Sequence, residues 1–419
     1  MILLMRLRVS QIRSMTAAVF LAASSAYLAA EVPWTGSWAA PANIVTIHDA
    51  AVPNGLAKVT LRQRIRVSIG GSVARLRFSN IHGVEPLVLS DVRIAQAASD
   101  YDAVAGTDHA VTFRGASTVT IAAGATAMSD QIVMDVKPSS DVMVSMYLPQ
   151  RIDADHMSGH TQAWQNVYLA PGDVSANATI TPIALSRALT SFYYLTNLDV
   201  QNAKAVGAVA TFGASITDSS NATFGANQGW RDVLTKRLSD AGMQVGVVNA
   251  ALSGNSLLRS SVFSGATGVS RFVQDALDQP NVKWVIFSDD PINDLSGLHP
   301  PNYDALITAI KQVRNAAHAR GVKFYCSTLT PNAGRATDAW TPEAEVTRAK
   351  INTFYRSADG GCDGIVDQDA AVHDPAMPTR FVPAYDAGDH LHPNDAGHRA
   401  IAESIDLKLF TLKSASSKQ

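Results

Sequence analysis

"ATFGASITDSS", residues 210–220, joins an apolar run to a polar turn. Ala205 to Phe212 reads as a buried strand, Gly213-Ala214-Ser215 follows it, and a helix-like pattern begins at Trp230. A small hydroxyl therefore stands at the mouth of a strand, just after a glycine. Serine in that place has two readings. It caps helices and starts turns well, or it is a nucleophile held up at the end of a sheet.

Working outward, the grammar on the carboxyl side is regular. "VGVVNA" (245–250), "VKWVIFS" (282–288), "VKFYCSTLTP" (322–331) and "GIVD" (364–367) read as strands. Helical patterns separate them: "WRDVLTKRLSDAG" stopped by Gly242, "VSRFVQDALD" stopped before Pro280, "YDALITAIKQVRNAAHARG", and "TPEAEVTRAKINTFYRSA". The last has Thr341 as N-cap, Pro342 at its first position and Glu343 in its first turn. "NDAGHRAIAESIDLKLF" (394–410) closes the pattern as one helix. Such βα alternation predicts a mainly parallel sheet covered by helices on both faces, from 201 to 415. Loops at the carboxyl ends of the strands form the ligand crevice of such a sheet, and Ser215 lies on one of them.

On the amino side the period changes to two. "LRQRIRVSI" (61–69) puts Leu61, Ile65, Val67 and Ile69 on one face and Arg62, Arg64, Arg66 and Ser68 on the other. "VARLRFSN" (73–80) alternates again after Gly70-Gly71-Ser72, which predicts a hairpin with a solvated arginine face. "STVTIAAG" and "DVMVSMYL" repeat the pattern, and turn residues break the chain every ten or so positions. Residues 31–200 are expected to form an all-β sandwich of the jelly-roll type.

Residues 1–30 read as an export signal: Arg6, Arg8 and Arg13, then an apolar stretch from Met15 to Leu28, then Ala29 and Ala30. A secreted or periplasmic protein with no membrane span in its mature form is expected. The 419 residues carry a net charge of −2 and no long basic run, which argues against nucleic acid as a partner. Two cysteines, Cys326 and Cys362, can form one disulfide in an oxidising compartment, and the sequence leaves open whether they do. They make a poor zinc site. His156 and His160 have the four-residue spacing of a metal pair, but "HMSGH" is not helical, so neither metal nor cofactor is expected. "NAT" at Asn177 and Asn221 matches a glycosylation acceptor, which matters only in a host that glycosylates.

Four loop segments carry the chemistry: Gly213-Ala214-Ser215, "SGN" at 253–255, "PIND" at 291–294, and "DHLHP" at 389–393. In this order, the first three after strands and the last just before the final helix, they resemble the SGNH, or GDSL, hydrolase family, whose blocks run Gly-Asp-Ser, a glycine-bearing loop, Gly-x-Asn-Asp and Asp-x-x-His-Pro. The resemblance spans 206–410 and implies a three-layer, flavodoxin-like domain. The front half is similar to the β-sandwich that precedes this domain in some secreted bacterial members. By resemblance Ser215 is the nucleophile, His392 the general base and Asp389 the residue that orients it. The backbone N–H groups of Ser215 and Gly254 and the amide of Asn293 form the oxyanion hole. No metal is implied. His390 adjoins Asp389, but the pattern uses the later histidine. Two positions depart from it: Ala214 stands where the family has aspartate, and Pro291 where it has glycine, so the loop before Asn293 should differ in shape. Asp289 and Asp290 have two readings, as groups that cap or solvate that loop, which is favoured, or as groups that tune the site or bind a substrate hydroxyl; Asp218 and Asp294 read as local acceptors for turns.

The function implied is hydrolysis of carboxylic esters through an acyl-serine, on a small-molecule or carbohydrate ester. Short-chain acetyl or aryl esters fit, with a slight lean toward glycan deacylation. Two rivals stand beside it: a glycan-binding protein whose esterase site has decayed, and a lysophospholipase or lipase-like enzyme, for which the sequence shows no amphipathic lid.

Overall fold

Apolar strands buried on both faces need helices on both sides, and the computed structural model, which describes residues 32–52, 55–297, 299–335 and 340–411, has that layering. Strands β1 (Gly207–Phe212), β2 (Val245–Asn249), β3 (Val282–Phe287), β4 (Lys323–Ser327) and β5 (Gly364–Val366) form one parallel sheet in the order β2-β1-β3-β4-β5. Helices α1 (Trp230–Asp240) and α7 (Asp395–Glu403) cover the face of Val209, Val247, Trp284 and Ile286. Helices α2 (Gly268–Phe272), α4 (Tyr303–Ala319) and α5 (Pro342–Arg356) cover the face of Phe212, Val248, Phe287 and Phe324. Two further short helices, α3 (Asp290–Asp294) and α6 (Gln368–Val372), follow β3 and β5. The strand order reverses between β1 and β3, so the loops after those two strands flank the switch point where α/β sheets bind ligands.

Local signals set the helix ends. Thr341 accepts a bond from Ala344 N at 3.1 Å, with Pro342 in the first turn. Gly242 takes φ +71° just past the end of α1. The last helix stops earlier than its pattern predicts. It ends at Glu403, and Leu407–Phe410 is a separate 3-10 turn capped by Asp406, whose side chain accepts from Lys408 N at 2.9 Å. Asp competes with helical hydrogen bonds in this way, and the turn lets Phe410 pack edge-on against Trp284. The helix from 268 is α only to Phe272 and continues as a π turn, Val273–Leu277.

The front region is all-β and antiparallel. One sheet runs Trp34–Ala39, Leu195–Gln201, Gly71–Ser79, Thr126–Met128, and the other runs Val167–Pro171, Val59–Arg66, Asp141–Leu148, Leu87–Gln96, His109–Ala110. The hairpin expected at Gly70-Gly71 is absent. Val59–Arg66 and Gly71–Ser79 belong to different sheets, and the chain turns a corner between them. Leu61, Ile65, Val67 and Ile69 meet Ala74, Leu76 and Phe78 across one core. Alternation records which face is buried and not which neighbour pairs with it, so a corner and a hairpin look alike in sequence.

The arginine row is not a solvated face either. Arg62 is 1% exposed. Its guanidinium donates to Ser145 Oγ at 2.8 Å and to backbone carbonyls that include Tyr101, Ser175 and Asn177. Loops fold over that side of the strand and supply acceptors for a charge that would otherwise be too costly to bury. Arg64 pairs with Asp100 at 3.0 Å and Arg66 with Asp141 at 3.2 Å.

From Pro33 onward the chain is one compact unit. Trp34–Ala39 lies against β2, so closely that a Cβ on Gly246 would come within 2.1 Å of Gly36 O. Ser68 Oγ accepts from Val247 N at 2.9 Å, and Asn197 donates to Gln279 at 2.7 Å. Cys326 on β4 and Cys362 before β5 are disulfide-bonded, with Cα atoms 5.7 Å apart and a sequence separation of 36. Opening a loop of that length returns entropy to the unfolded chain. Cys326→Ala/Cys362→Ala is therefore expected to lose about 3–4 kcal/mol of stability, read from the urea midpoint. A midpoint within error of wild type would contradict this.

Candidate active site

β1 delivers the chain into a turn that one carboxylate organises. Asp289, on the loop after β3, accepts through Oδ1 from Ala214 N (3.0 Å), Thr217 N (3.3 Å) and Thr217 Oγ1 (2.5 Å). Its Oδ2 accepts from Ile216 N at 2.8 Å. Gly213 makes room for it, because a Cβ there would come within 2.3 Å of Asp289 Oδ1. N–H groups on both sides of Ser215 are thus held, while that of Ser215 has no acceptor among the described residues. The expectation that Asp289 caps or solvates its own loop is corrected: it is 2% exposed and grips a turn 72 or more residues away.

The structure brings Ser215, His392 and Asp389 into line. Ser215 Oγ and His392 Nε2 are 2.8 Å apart, and His392 Nδ1 is 2.6 Å from Asp389 Oδ2. Asp389 Oδ1 accepts from Leu391 N at 3.0 Å and His392 N at 2.9 Å. Asn221, just past the nucleophile turn, adds a bond to Oδ2 at 3.1 Å. Partial burial alone would raise the Asp389 carboxyl. The His392 ring and the two backbone N–H groups outweigh it and hold the group well below the ordinary carboxylate range. An ionised carboxylate only accepts, so Nδ1 carries the ring proton and Nε2 offers its lone pair to the hydroxyl. A hydroxyl, an imidazole and a carboxylate so arranged can move a proton off the serine. His390 stands apart, bonded to Asp386 at 2.5 Å.

The lowered Asp389 value carries a stability consequence. A carboxyl whose folded pKa lies below its unfolded value contributes stability that is present above about pH 4 and lost as pH falls through the folded value. Asp389→Asn is expected to show a flatter loss of stability between pH 5 and pH 2 than wild type, measured by urea unfolding at each pH. Parallel profiles would count against the assignment.

Gly254, at φ +76° after β2, and Asn293 in α3 complete the expected set. The Gly254 N–H has no acceptor among the described residues. Asn293 Nδ2 donates one hydrogen to Asn255 O at 2.8 Å, which leaves the other free. Pro291 sits in the first turn of α3, where a missing N–H costs nothing, and that turn presents Asn293.

The other acids join loops rather than serving their own turns, contrary to the local role expected for Asp218 and Asp294. Asp218 accepts from Ser253 N (3.2 Å) and Ser253 Oγ (2.9 Å). Asp294 accepts from Leu257 N (2.6 Å) and Leu258 N (3.1 Å), and burial pushes it up to about 6. Burial also pushes Asp290 up to about 7, against the opposing pull of Arg271 at 3.2 Å. Arg271 is a buried hub that sequence reasoning missed. It donates to Gly213 O (3.0 Å), Ala250 O (2.5 Å) and Asn255 Oδ1 (2.8 Å), and stacks over Phe212. Nothing in the helix pattern marked it. Asp289 had a faint signal: the acid missing at 214 reappears as a doubled acid at the next strand end.

His156 and His160 part ways, to Asp153 and to Asp218. Among the described residues no group of three His, Cys, Asp or Glu could hold a metal, and no helix is long and apolar enough to cross a membrane.

A hydroxyl–imidazole–carboxylate line at the carboxyl edge of a parallel sheet suits acyl transfer, and the family match over residues 209–405 makes the class a carboxylic ester hydrolase. Residues 209–405 match the model of the GDSL-like Lipase/Acylhydrolase family, and the chain carries a domain of that family. No curated protein matches the chain. Among solved structures, a lipase/acylhydrolase from Enterococcus faecalis aligns at 16% identity over 47% of this chain and 92% of its own, with TM-score 0.36. An acetyl xylan esterase, AlAXEase, aligns at 19% over 47% and 96%, with TM-score 0.36. A carbohydrate esterase family 2 enzyme with a carbohydrate binding domain, from Corynascus thermopiles (Myceliophthora fergusii), aligns at 14% over 87% and 96%, with TM-score 0.35.

Proposed function

We propose that the chain is an exported serine esterase acting on short-chain esters, acetyl groups on carbohydrates among them. The observation that carries the mechanism is the line Ser215–His392–Asp389, at 2.8 and 2.6 Å. Ser215 Oγ attacks the ester carbonyl while His392 Nε2 takes its proton. The oxyanion that forms is met by the N–H groups of Ser215 and Gly254 and by the amide of Asn293. His392 then returns the proton to the leaving alcohol. Water, activated by the same imidazole, hydrolyses the acyl-serine to the carboxylic acid and restores the hydroxyl.

A polar rim supports a sugar-borne ester. Asn221 and His390 flank Asp389, and Gly334, against His390, leads to Arg335, which donates to Ser296. The disulfide supports export, as does the N-terminal signal pattern, which lies outside the described residues. We read residues 31–200 as a jelly-roll-like sandwich domain that shapes one wall of the crevice, and 201–415 as the hydrolase domain. A second, lipase-like reading has one observation in its favour. Val262 and Phe263, 68% and 87% exposed, form an apolar tip on the loop beyond Gly254.

Hydrolysis of p-nitrophenyl acetate, butyrate and octanoate, with Ser215→Ala as control, tests both readings. A preference for acetate is expected. A rate that climbs with chain length and jumps above the micelle concentration would transfer the assignment to the lipase-like reading. Activity that survives in Ser215→Ala would remove both.

A further inference from the structure

We infer that His160, carried by the front β region, is a positioning residue for the site. With Asp218 it forms a buried ion pair that sets the spacing between the nucleophile turn and the Gly254 loop. The inference rests on the esterase reading above.

His160 ends the strand Met157–His160, which pairs with Asn43–Val45 on one side and Phe192–Tyr193 on the other. The packing there is close, since a Cβ on Gly159 would come within 2.2 Å of Phe192 O. The strand that carries the ring is therefore placed by the front region. Its Nδ1 lies 3.0 Å from Pro41 O and its Nε2 2.9 Å from Asp218 Oδ1. Both partners are acceptors, so both ring nitrogens carry hydrogen and the ring is a cation.

Asp218 is the matching anion. Its Oδ1 accepts from His160 and from Asn249 Nδ2 at 2.8 Å. Its Oδ2 accepts from Ser253 N at 3.2 Å and Ser253 Oγ at 2.9 Å. Four donors fill the four lone-pair sites of a carboxylate and leave no place for a proton. His160 and Asp218 side chains are 2% and 0% exposed.

The pair stands between two oxyanion donors. Asp218 N donates to Ala214 O at 2.9 Å, which ties Asp218 to the turn that presents Ser215. Ser253, held by the same carboxylate, immediately precedes Gly254. Removing the cation leaves a buried carboxylate uncompensated, and a shift of the turn or the loop that Asp218 holds is the response that reaches the site. Either shift misplaces a donor aimed at the oxyanion. The front region thereby completes the electrostatics beneath the site.

The test is steady-state hydrolysis of p-nitrophenyl acetate by the full chain, well below the unfolding midpoint of each variant. His160→Ala is expected to lower kcat by about 100-fold, the scale of a displacement of about 1 Å at a reacting centre. KM should stay within about threefold, as for a group that acts only in the transition state. His160→Gln keeps a donor toward Asp218 and should recover about tenfold of that loss. A purely structural role would lower the midpoint and leave kcat alone, so a wild-type kcat in a folded His160→Ala overturns the inference. Should that variant not fold, Ser253→Ala removes one donor from the same carboxylate and is expected to lower kcat about tenfold with KM unchanged. An unchanged kcat there overturns the inference equally. The two failures are distinguishable. An inactive wild type, or an active Ser215→Ala, removes the esterase reading itself, whereas the outcomes above arise only in an active wild type.

Discussion

Ser215→Ala is expected to lower kcat on p-nitrophenyl acetate by about 10⁶-fold, the scale seen when the nucleophile of a serine enzyme is removed. The fold should survive. The Ser215 hydroxyl makes its bond to His392, whereas the turn itself is held by Asp289 through backbone N–H groups. The variant keeps the donors of Ser215 N, Gly254 N and Asn293, so a remnant of about 10³–10⁴-fold over the uncatalysed rate is expected from oxyanion stabilisation and binding alone. An organophosphonate that labels wild type at one serine should leave the variant unlabelled, as read by intact mass. A variant within about 100-fold of wild type would mean that another group carries the chemistry.

Asp289→Ala should come next in size. It strips the acceptor from the N–H groups of Ala214, Ile216 and Thr217 at once, in a place that water does not reach. Each buried donor left unpaired costs about 1–3 kcal/mol, so for three of them a loss of about 3–9 kcal/mol of stability is expected. The turn can recover acceptors only by relaxing, and relaxation moves both Ser215 Oγ and Ser215 N–H. A fall in kcat of about 10³-fold is expected on that ground, with KM little changed, measured where the variant is still folded. Asp289→Asn should keep more stability but little activity, because its NH₂ would face one of the donors that the carboxylate now accepts. Full activity in Asp289→Asn would show that the carboxylate is dispensable. The family pattern places an aspartate at 214. Here Ala214 is wholly buried, and the acid that supports the turn comes from the next strand of the sheet.

Where the signals were local, they were legible. The shift in period from two to βα alternation near 203 and the cap at Thr341 were readable from residues close in sequence, whereas Ser215, Gly254, Asn293, Asp389 and His392 stood out as candidates only through the order of four blocks spread along the chain. Misreadings came where two readings share one pattern. Gly70-Gly71 marks a reversal whether the next strand pairs with the last one or crosses to the facing sheet. The Arg62 face looks solvated until loops from residues 101 and 175–177 close over it. Asp218, Asp289, Asp290 and Asp294 look like turn acids because turns are where acids usually sit.

By itself, then, the sequence determined the layering of the hydrolase domain, because burial periodicity is a property of short stretches, and it supplied the candidate groups of the site by residue type and order. What holds the strand ends in register was decided only by the tertiary structure. Asp289 grips the turn of Ser215, Arg271 gathers Gly213, Ala250 and Asp290, and His160 reaches from the front region to Asp218. Each is a charge buried far along the chain from its partner. Such a charge is stable only once the fold has brought its hydrogen-bond partners around it.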